Sequence, residues 1–223
     1  MQSIKSKIVT AVTAAAMMFG CMGTALAAEP TVFSDVPETH WAYQFISTAA
    51  QNGWVSGYGD GRFGPEAQVT YAELSAMLVR AFFPSSLDDI QVSEGAPWHT
   101  AACSAADTLG LYVGVNIRTQ HNNAQLVEQP VSRYEMAQIL CNTIRAAGVT
   151  VAPDLNAAQT TTADWAAIPF RYQAAVAATK EAGLISGVDK AGTFDGEKFM
   201  SRAQAATIMT NLNTLIHQSS GTE

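Results

Sequence analysis

Three short stretches decide the fold of this chain: Thr70-Tyr71-Ala72-Glu73, Ser132-Arg133-Tyr134-Glu135 and Ser201-Arg202-Ala203-Gln204. Each places Glu or Gln three residues after Ser or Thr, ahead of a run in which apolar residues recur at helical spacing. This is the capping box, in which the hydroxyl accepts a hydrogen bond from the third amide of a helix and the Glu or Gln accepts one from the cap amide. The spacing predicts three amphipathic helices that begin at these boxes.

Another helix is predicted upstream of each box, and each ends at a glycine. Gly53, Gly110 and Gly183 each precede an apolar residue, an arrangement typical of helix ends because glycine adopts the left-handed conformation cheaply. We therefore predict a mainly α fold of three pseudo-repeated helix-loop-helix units, with short hairpin turns, that close on one shared core. The predicted boundaries are 33–84, 97–147 and 164–216 for the units, 28–32 for a short lead, 85–96 and 148–163 for linkers, and 217–223 for a tail.

The first 27 residues have the pattern of a signal peptide. Lys5 and Lys7 precede an apolar run over 8–20, and Ala25-Leu26-Ala27 fits an A-x-A cleavage site. We expect cleavage after Ala27, export of the mature chain, and no membrane span after cleavage. Cleavage and lipidation at Cys21 is the less favoured alternative.

The composition excludes several classes of protein. Of the 223 residues, 48% are hydrophobic and 14% are charged, and the net charge is −7. A disordered chain would be less apolar, and the acidic balance argues against a nucleic-acid partner because phosphate binding requires a basic surface. Cys103 and Cys141 could form a disulfide in an oxidising compartment, but two free, buried thiols are the favoured interpretation.

Four ordered motifs carry a resemblance to a known family. They are Phe33-Ser34-Asp35-Val36, His40-Trp41-Ala42, Gly57-Tyr58-Gly59-Asp60-Gly61-Arg62-Phe63-Gly64-Pro65 and Thr70-Tyr71-Ala72-Glu73. Together they resemble the S-layer homology module, whose pattern is F-x-D-V, H-W-A, G-Y-x-D-G-x-F-x-P and T-R-A-E. The resemblance implies a three-pronged spindle with pseudo-threefold symmetry. It also implies a location at the cell wall or cell surface and non-covalent binding of a secondary cell-wall polymer, or another peptidoglycan-linked glycan, in grooves between the prongs. In the family this polymer is anionic and often pyruvylated.

The resemblance also implies a set of ligand-binding residues. In this chain the matching positions are Trp41, Gly57, Tyr58, Asp60, Gly61, Arg133 and Arg202. The chain departs from the pattern at Tyr71, which replaces the arginine of the first box, and at Arg171, which replaces the tryptophan of the third unit. The second unit keeps Trp98 but has Gly114-Val115-Asn116 where G-Y-x-D-G is expected. No unit has the full set. A complete groove therefore requires residues from neighbouring units, and weakened binding is the alternative.

The same residues allow other interpretations without the family. An arginine at the first helical position opposes the helix dipole, at a cost of roughly 0.3–1 kcal/mol. A bound anion, held jointly by the helix amides and the guanidinium, would compensate for it, and so would an ion pair such as Arg133 with Glu135. The Asp60-Gly61 pair is a turn signal whether or not it meets a ligand. Packing in the core is the favoured role for Trp41, and stacking on a sugar is the alternative.

The sequence has no G-x-S-x-G, H-E-x-x-H, phosphate-binding glycine loop or dinucleotide fingerprint, and the histidines and cysteines lack metal-ligand spacing. A pair of scattered acids that meet in the fold, as in a glycosidase, is the catalytic alternative left open, but the predicted units leave no separate domain for it. We therefore predict a non-catalytic binding module without cofactor or metal. The alternative function is that of a structural protein that keeps the fold, has degraded glycan grooves, and binds other surface proteins.

Overall fold

The computed structural model describes residues 33–117 and 123–220, so the predicted signal peptide and its alternative at Cys21 lie outside the described residues. The helices are α1 Tyr43–Gln51, α2 Tyr71–Phe82, α3 Thr100–Thr108, α4 Ala124–Val127, α5 Arg133–Ala146, α6 Leu155–Thr161, α7 Phe170–Glu181 and α8 Arg202–Ser220, with short 3₁₀ helices at Pro84–Leu87 and Trp165–Ala167. Within these ranges the only β pairing is three isolated bridges. The mainly α prediction is confirmed, and the expected hairpins are turns without strands in the part described.

The predicted capping boxes begin the long helices. At α2 the Thr70 hydroxyl accepts from the Glu73 amide (3.2 Å) and the Glu73 carboxylate accepts from the Thr70 amide (3.1 Å). The box of α8 is likewise complete. At α5 the Ser132 hydroxyl accepts from the Glu135 amide, but the carboxylate of Glu135 turns toward other partners. The boxes therefore set the start of all three helices, and one is only half formed.

The predicted glycine stops are also present. Gly53, Gly110 and Gly183 have φ of 73°, 74° and 65°. The amide of the next residue then reaches back to a carbonyl of the last turn, as Trp54 does to Ala49 (2.9 Å). This bond satisfies a carbonyl that the helix end would leave free.

Helix packing runs between units rather than within them. We call α1 with α2 the first unit, α3 to α5 the second, and α7 with α8 the third. The first helix of each unit packs mainly on the last helix of the preceding one: α3 on α2, α7 on α5, and α1 on α8. Because α1 returns to α8, the arrangement closes into a cycle. Its core contains fully buried side chains from every unit, such as Leu74, Leu140 and Leu212.

A ring of backbone hydrogen bonds joins the three units at the centre. Val69 donates to Met200 (2.9 Å), Met200 donates to Val131 (3.1 Å), and Val131 donates to Val69 (3.0 Å). Each of these residues lies just before a capping box, and all three are buried. The ring therefore fixes the starts of α2, α5 and α8 relative to one another.

The segments outside the units differ in part from the prediction. The predicted linker 148–163 contains α6, because the Asp154 carboxylate accepts from the Ala157 amide (2.9 Å) and caps a short helix. The predicted tail begins at 217, whereas α8 continues to Ser220.

Cys103 is a buried free thiol, and Cys141 is free but only partly buried. Their helices α3 and α5 pack mainly on different neighbours.

Candidate functional site

Two grooves of similar size lie between the units. The first encloses about 380 Å³ and the second about 400 Å³, a volume suited to one or two sugar rings. We name them after the buried arginine of each. The Arg202 groove is lined by residues including Trp54, Ser56, Gly57, Tyr58, Glu73, Trp98 and Arg202, and the Arg133 groove by residues including Trp41, Arg133, Ser186, Gly187, Val188, Lys198, Met200 and Gln204.

Both grooves are assembled in the same way from three units. In the Arg202 groove the first unit forms the floor, the second supplies Trp98 and the third supplies Arg202. In the Arg133 groove the third unit forms the floor, the first supplies Trp41 and the second supplies Arg133. The two tryptophans are 60% and 57% exposed, so each presents a ring to solvent at the groove. The expectation that Trp41 packs in the core is therefore wrong.

All three nitrogen atoms of the Arg202 guanidinium donate hydrogen bonds within the protein. Its Nε donates to the Phe63 carbonyl (2.9 Å), its Nη2 to the Ser56 carbonyl (2.7 Å) and its Nη1 to the Glu73 carboxylate (2.5 Å). The guanidinium lies 4.7 Å from the ring centres of Tyr58 and Phe63. This arginine is buried, paired and positioned by two carbonyls of another unit.

Arg133 makes the equivalent contacts with one exception. Its Nε donates to the Phe194 carbonyl and its Nη2 to the Ser186 carbonyl, both at 2.7 Å, and its guanidinium lies 4.8 Å from the Phe194 ring. Its Nη1, however, meets the Met200 sulfur at 3.5 Å rather than a carboxylate. Burial lowers the pKa of Arg133, and the charges of Asp195 and Asp164 oppose this shift.

The helix amides beside these arginines are not free. The Arg133 amide donates to the Lys198 carbonyl (2.9 Å) and the Arg202 amide to the Ala67 carbonyl (2.8 Å). The expectation that an anion binds jointly to these amides and the guanidinium is therefore wrong. Each guanidinium reaches away from its own helix into the groove of a neighbouring unit. The alternative pairing of Arg133 with Glu135 is also wrong, because Glu135 accepts from Tyr71 and Asn116.

The equivalent position on the second unit is filled by side chains. Tyr71 stands where the arginines stand, and its hydroxyl donates to the Glu135 carboxylate. Burial and this contact raise the pKa of Tyr71. The Asn142 amide donates to the Leu111 carbonyl (2.9 Å) and the Val113 carbonyl (2.8 Å). Val113 corresponds to Ser56 and Ser186, so Asn142 takes the place of an arginine there.

Two aspartates hold the loops that supply the arginine-binding carbonyls. The Asp35 carboxylate accepts from the Phe63 and Gly64 amides, each at 2.8 Å, and Asp164 does the same for Phe194 (2.7 Å) and Asp195 (2.9 Å). Burial alone would raise the pKa of Asp35, but the two amide donors hold it below its usual value. The F-x-D-V motif therefore acts on the grooves through the backbone.

Only some of the ligand-binding residues that the resemblance implied line a groove. Gly57 and Tyr58 line the Arg202 groove. A Cβ on Gly57 would stand 2.5 Å from the Arg62 carbonyl oxygen, so the tight loop requires glycine there. Asp60 and Gly61 are not among the residues that line either groove; Asp60 pairs with Arg62 (2.7 Å), and the Arg62 hydrogen bond lowers the pKa of Asp60.

Several groove residues were not in the predicted set: Trp54, Trp98, Glu73, Lys198 and Gln204. Trp98 had a signal, since it stands at the same distance before its glycine stop as Trp41 does. Glu73 and Gln204 were assigned only to capping, and nothing in the spacing placed an arginine of another unit beside them.

Neither a cluster of metal ligands nor a membrane-spanning helix occurs among the described residues. Across residues 33–117 and 123–220, no three His, Cys, Asp or Glu side chains are close enough to bind one metal ion. Among the helices of these same ranges, none combines the length and apolarity needed to cross a bilayer.

A comparison with known protein families finds matches in the first and third units. These two units form the floors of the Arg202 groove and the Arg133 groove. Residues 32–75 and 162–206 each match the S-layer homology domain. Two segments of the chain, one in the first unit and one in the third, are thus similar to this domain, and the resemblance is confirmed for them. The match does not extend to the second unit.

The chain is also similar to parts of several bacterial surface proteins. It is 34% identical over 89 residues to a cell surface protein of Thermoanaerobacter kivui, which is 40% of this chain and 10% of that protein. It is 33% identical over 94 residues to a surface layer protein of Brevibacillus choshinensis (42% and 8%), and 28% identical over 138 residues to the S-layer protein sap of Bacillus anthracis (60% and 16%). The matched region is thus a small part of each relative's length.

Proposed function

We propose that this protein is a non-catalytic module that attaches to a bacterial cell-wall glycan without a covalent bond. One observation carries the proposal: two grooves, built alike, each place an exposed tryptophan beside a buried arginine. An aromatic ring offers a face for a sugar, and a guanidinium is the side chain best suited to a carboxylate. The ligand proposed is a secondary cell-wall polymer or another peptidoglycan-linked glycan, anionic and with a pyruvate ketal as one source of charge.

The proposed location is the cell wall or cell surface, reached by export. The S-layer homology segments and the names of the similar proteins, which include a middle cell wall protein of Brevibacillus brevis, support this location. The sequence pattern of residues 1–27 supports export through a signal peptide.

We further propose that the second unit is a diverged third repeat. Three observations support it: its helices take the same places in the packing cycle, Val131 occupies the same place in the central ring, and Gly110 ends α3 as Gly53 ends α1. Its divergence lies in the side chains that fill its groove position.

The proposal is tested by sedimentation with purified cell-wall sacculi. We expect the mature protein to sediment with sacculi that carry their secondary polymer and to stay in solution when the polymer has been removed by acid. Trp41→Ala combined with Trp98→Ala should strongly reduce sedimentation while helicity measured by circular dichroism is unchanged. If the protein binds stripped sacculi equally well, or if the double variant binds like the parent, the glycan function is wrong. Capture by protein partners is then the function to pursue.

A further inference from the structure

The two grooves differ in the residue at the third position of the capping box. In the Arg202 groove this residue contacts the buried arginine, and in the Arg133 groove it does not. Glu73 and Gln204 hold the same place, the third residue of a capping box, and each lines its groove. Both satisfy the cap amide, so both serve the helix equally. Their difference is the number of acceptor atoms that remain for a neighbouring arginine.

In the Arg202 groove the carboxylate has two oxygens and uses both. Oε2 of Glu73 accepts from the Thr70 amide (3.1 Å), and Oε1 accepts from Nη1 of Arg202 (2.5 Å). The positive charge of this guanidinium is therefore compensated inside the protein. The aromatic rings of Trp54, Tyr58 and Trp98 complete the lining.

In the Arg133 groove the amide has a single oxygen. Oε1 of Gln204 accepts from the Ser201 amide (2.9 Å), and the remaining terminal atom is a donor that cannot accept from an arginine. Nη1 of Arg133 is left with the Met200 sulfur, a weak acceptor. In residues 33–117 and 123–220 no carboxylate lies within ion-pair distance of Arg133, although its side chain is only 4% exposed.

Other charges near the grooves do not remove this difference. Asp164 and Asp195 act on Arg133, but both oxygens of Asp164 are engaged by loop amides and neither residue forms an ion pair with the guanidinium. Lys198 adds a positive charge to the Arg133 groove. Arg80 lines the Arg202 groove, but it is exposed and its charge is screened by solvent.

We propose that the two grooves divide one glycan between them: the Arg133 groove binds the sugar that carries a negative charge, and the Arg202 groove binds an uncharged sugar. The inference rests on the proposed glycan function and adds which residue sets the charge preference of each groove. Glu73 makes its groove indifferent to an anion, whereas Gln204 leaves an arginine donor for one.

The tryptophans make each groove separately observable. Trp41 reports on the Arg133 groove, Trp54 and Trp98 report on the Arg202 groove, and buried Trp165 is an internal control. The probes are a methyl hexoside carrying a pyruvate ketal and the methyl ester of the same compound, which has the same shape without the charge. In ¹H–¹⁵N spectra of the mature protein, we expect the acid to shift the Trp41 indole signal at a concentration at least about tenfold lower than the Trp98 signal. The ester should lose that preference.

Reciprocal substitutions sharpen the test because each places at one groove the residue that works as a cap in the other. Gln204→Glu should weaken acid binding at Trp41 about tenfold or more, and Glu73→Gln should strengthen it at Trp98 by a similar factor. Arg145→Gln, outside both grooves, should change neither, and helicity should be retained throughout.

Equal affinities for the acid at both grooves, or an unchanged affinity at Trp41 in Gln204→Glu, would overturn the division while sedimentation with sacculi still supported the glycan function. If the probe shifts none of the groove tryptophan signals while the protein still sediments with sacculi, only the proposed difference between the grooves is overturned. If the signals do not shift and sedimentation is also lost, both proposals are wrong.

Discussion

The open grooves and the filled position on the second unit share one backbone frame and differ in a few side chains. In all three places the first residue of a capped helix points into the neighbouring unit, and its amide donates to that unit's backbone. Arg133 and Arg202 then reach two carbonyls of a loop, whereas Tyr71 stops at Glu135. The carbonyl left over, that of Val113, is satisfied by Asn142.

This difference shows that the backbone frame does not by itself leave a groove open. Buried carbonyls must be hydrogen-bonded, and either a long cation from the next unit or a local amide can do it. The long cation places its guanidinium in the lining of the groove, whereas the local amide closes the position. The comparison therefore predicts that the arginines are structural as well as ligand-binding residues.

The largest expected effect is on stability and distinguishes the two arginines. Arg202→Met leaves two carbonyls and the partly buried Glu73 carboxylate without their donor, so we expect the free energy of unfolding to fall by about 3–5 kcal/mol. Arg133→Met leaves two carbonyls but no carboxylate, and the loss should be about 2–3 kcal/mol. Urea unfolding followed by circular dichroism measures both. Equal losses would mean that the Glu73 pair contributes nothing.

A smaller effect is expected where the groove loops are tied down. Asp35→Asn keeps one acceptor but places an amide donor against a backbone N–H, which should lower the free energy of unfolding by about 1–2 kcal/mol at neutral pH. Because the folded pKa of Asp35 is lowered, its contribution is complete above the unfolded pKa of about 4 and is lost as pH falls through the folded value. The gap between parent and variant should therefore narrow below about pH 4 in urea midpoints taken from pH 3 to 7. A gap that is constant with pH would contradict this role.

The sequence predicted the local frame well and the grooves only in part, for a physical reason. Capping boxes and glycine stops are local signals, because the residues that form them lie within a few positions of each other. The contact of Arg202 with Ser56 joins residues from the third and first units, and its existence depends on the ring that Val69, Val131 and Met200 close. No periodicity encodes that ring. For the same reason the core role favoured for Trp41 was wrong: this residue lies two positions before α1, which packs on α8, and its ring stays exposed.

A moderate effect on binding alone is expected at the exposed rings. Trp41→Ala and Trp98→Ala should each weaken glycan binding by about 0.5–1.5 kcal/mol and change stability by less than about 0.5 kcal/mol, because both side chains are mostly exposed. Phe170→Ala is the matched control: this ring is 89% exposed at the start of α7, yet it lines neither groove. Sedimentation with polymer-bearing sacculi compares the three. A loss for Phe170→Ala as large as for the tryptophans would show that binding is not confined to the two grooves.

The smallest effect on binding is expected from Tyr71→Arg, which restores the missing arginine of the first box. Tyr71 is buried, so an arginine there must pair with Glu135 to remain compatible with the fold, and helicity measured by circular dichroism checks that it does. A third binding site should not appear, because Asn142 already occupies the Val113 carbonyl and Arg171 stands where the other grooves have tryptophan. Calorimetric titration with the ketal probe should give the same stoichiometry as the parent. Adding Asn142→Ala and Arg171→Trp frees the carbonyl and supplies the ring, and only this triple variant should gain a site. A gain of stoichiometry from Tyr71→Arg alone would show that the tyrosine by itself closes the position and that Asn142 does not.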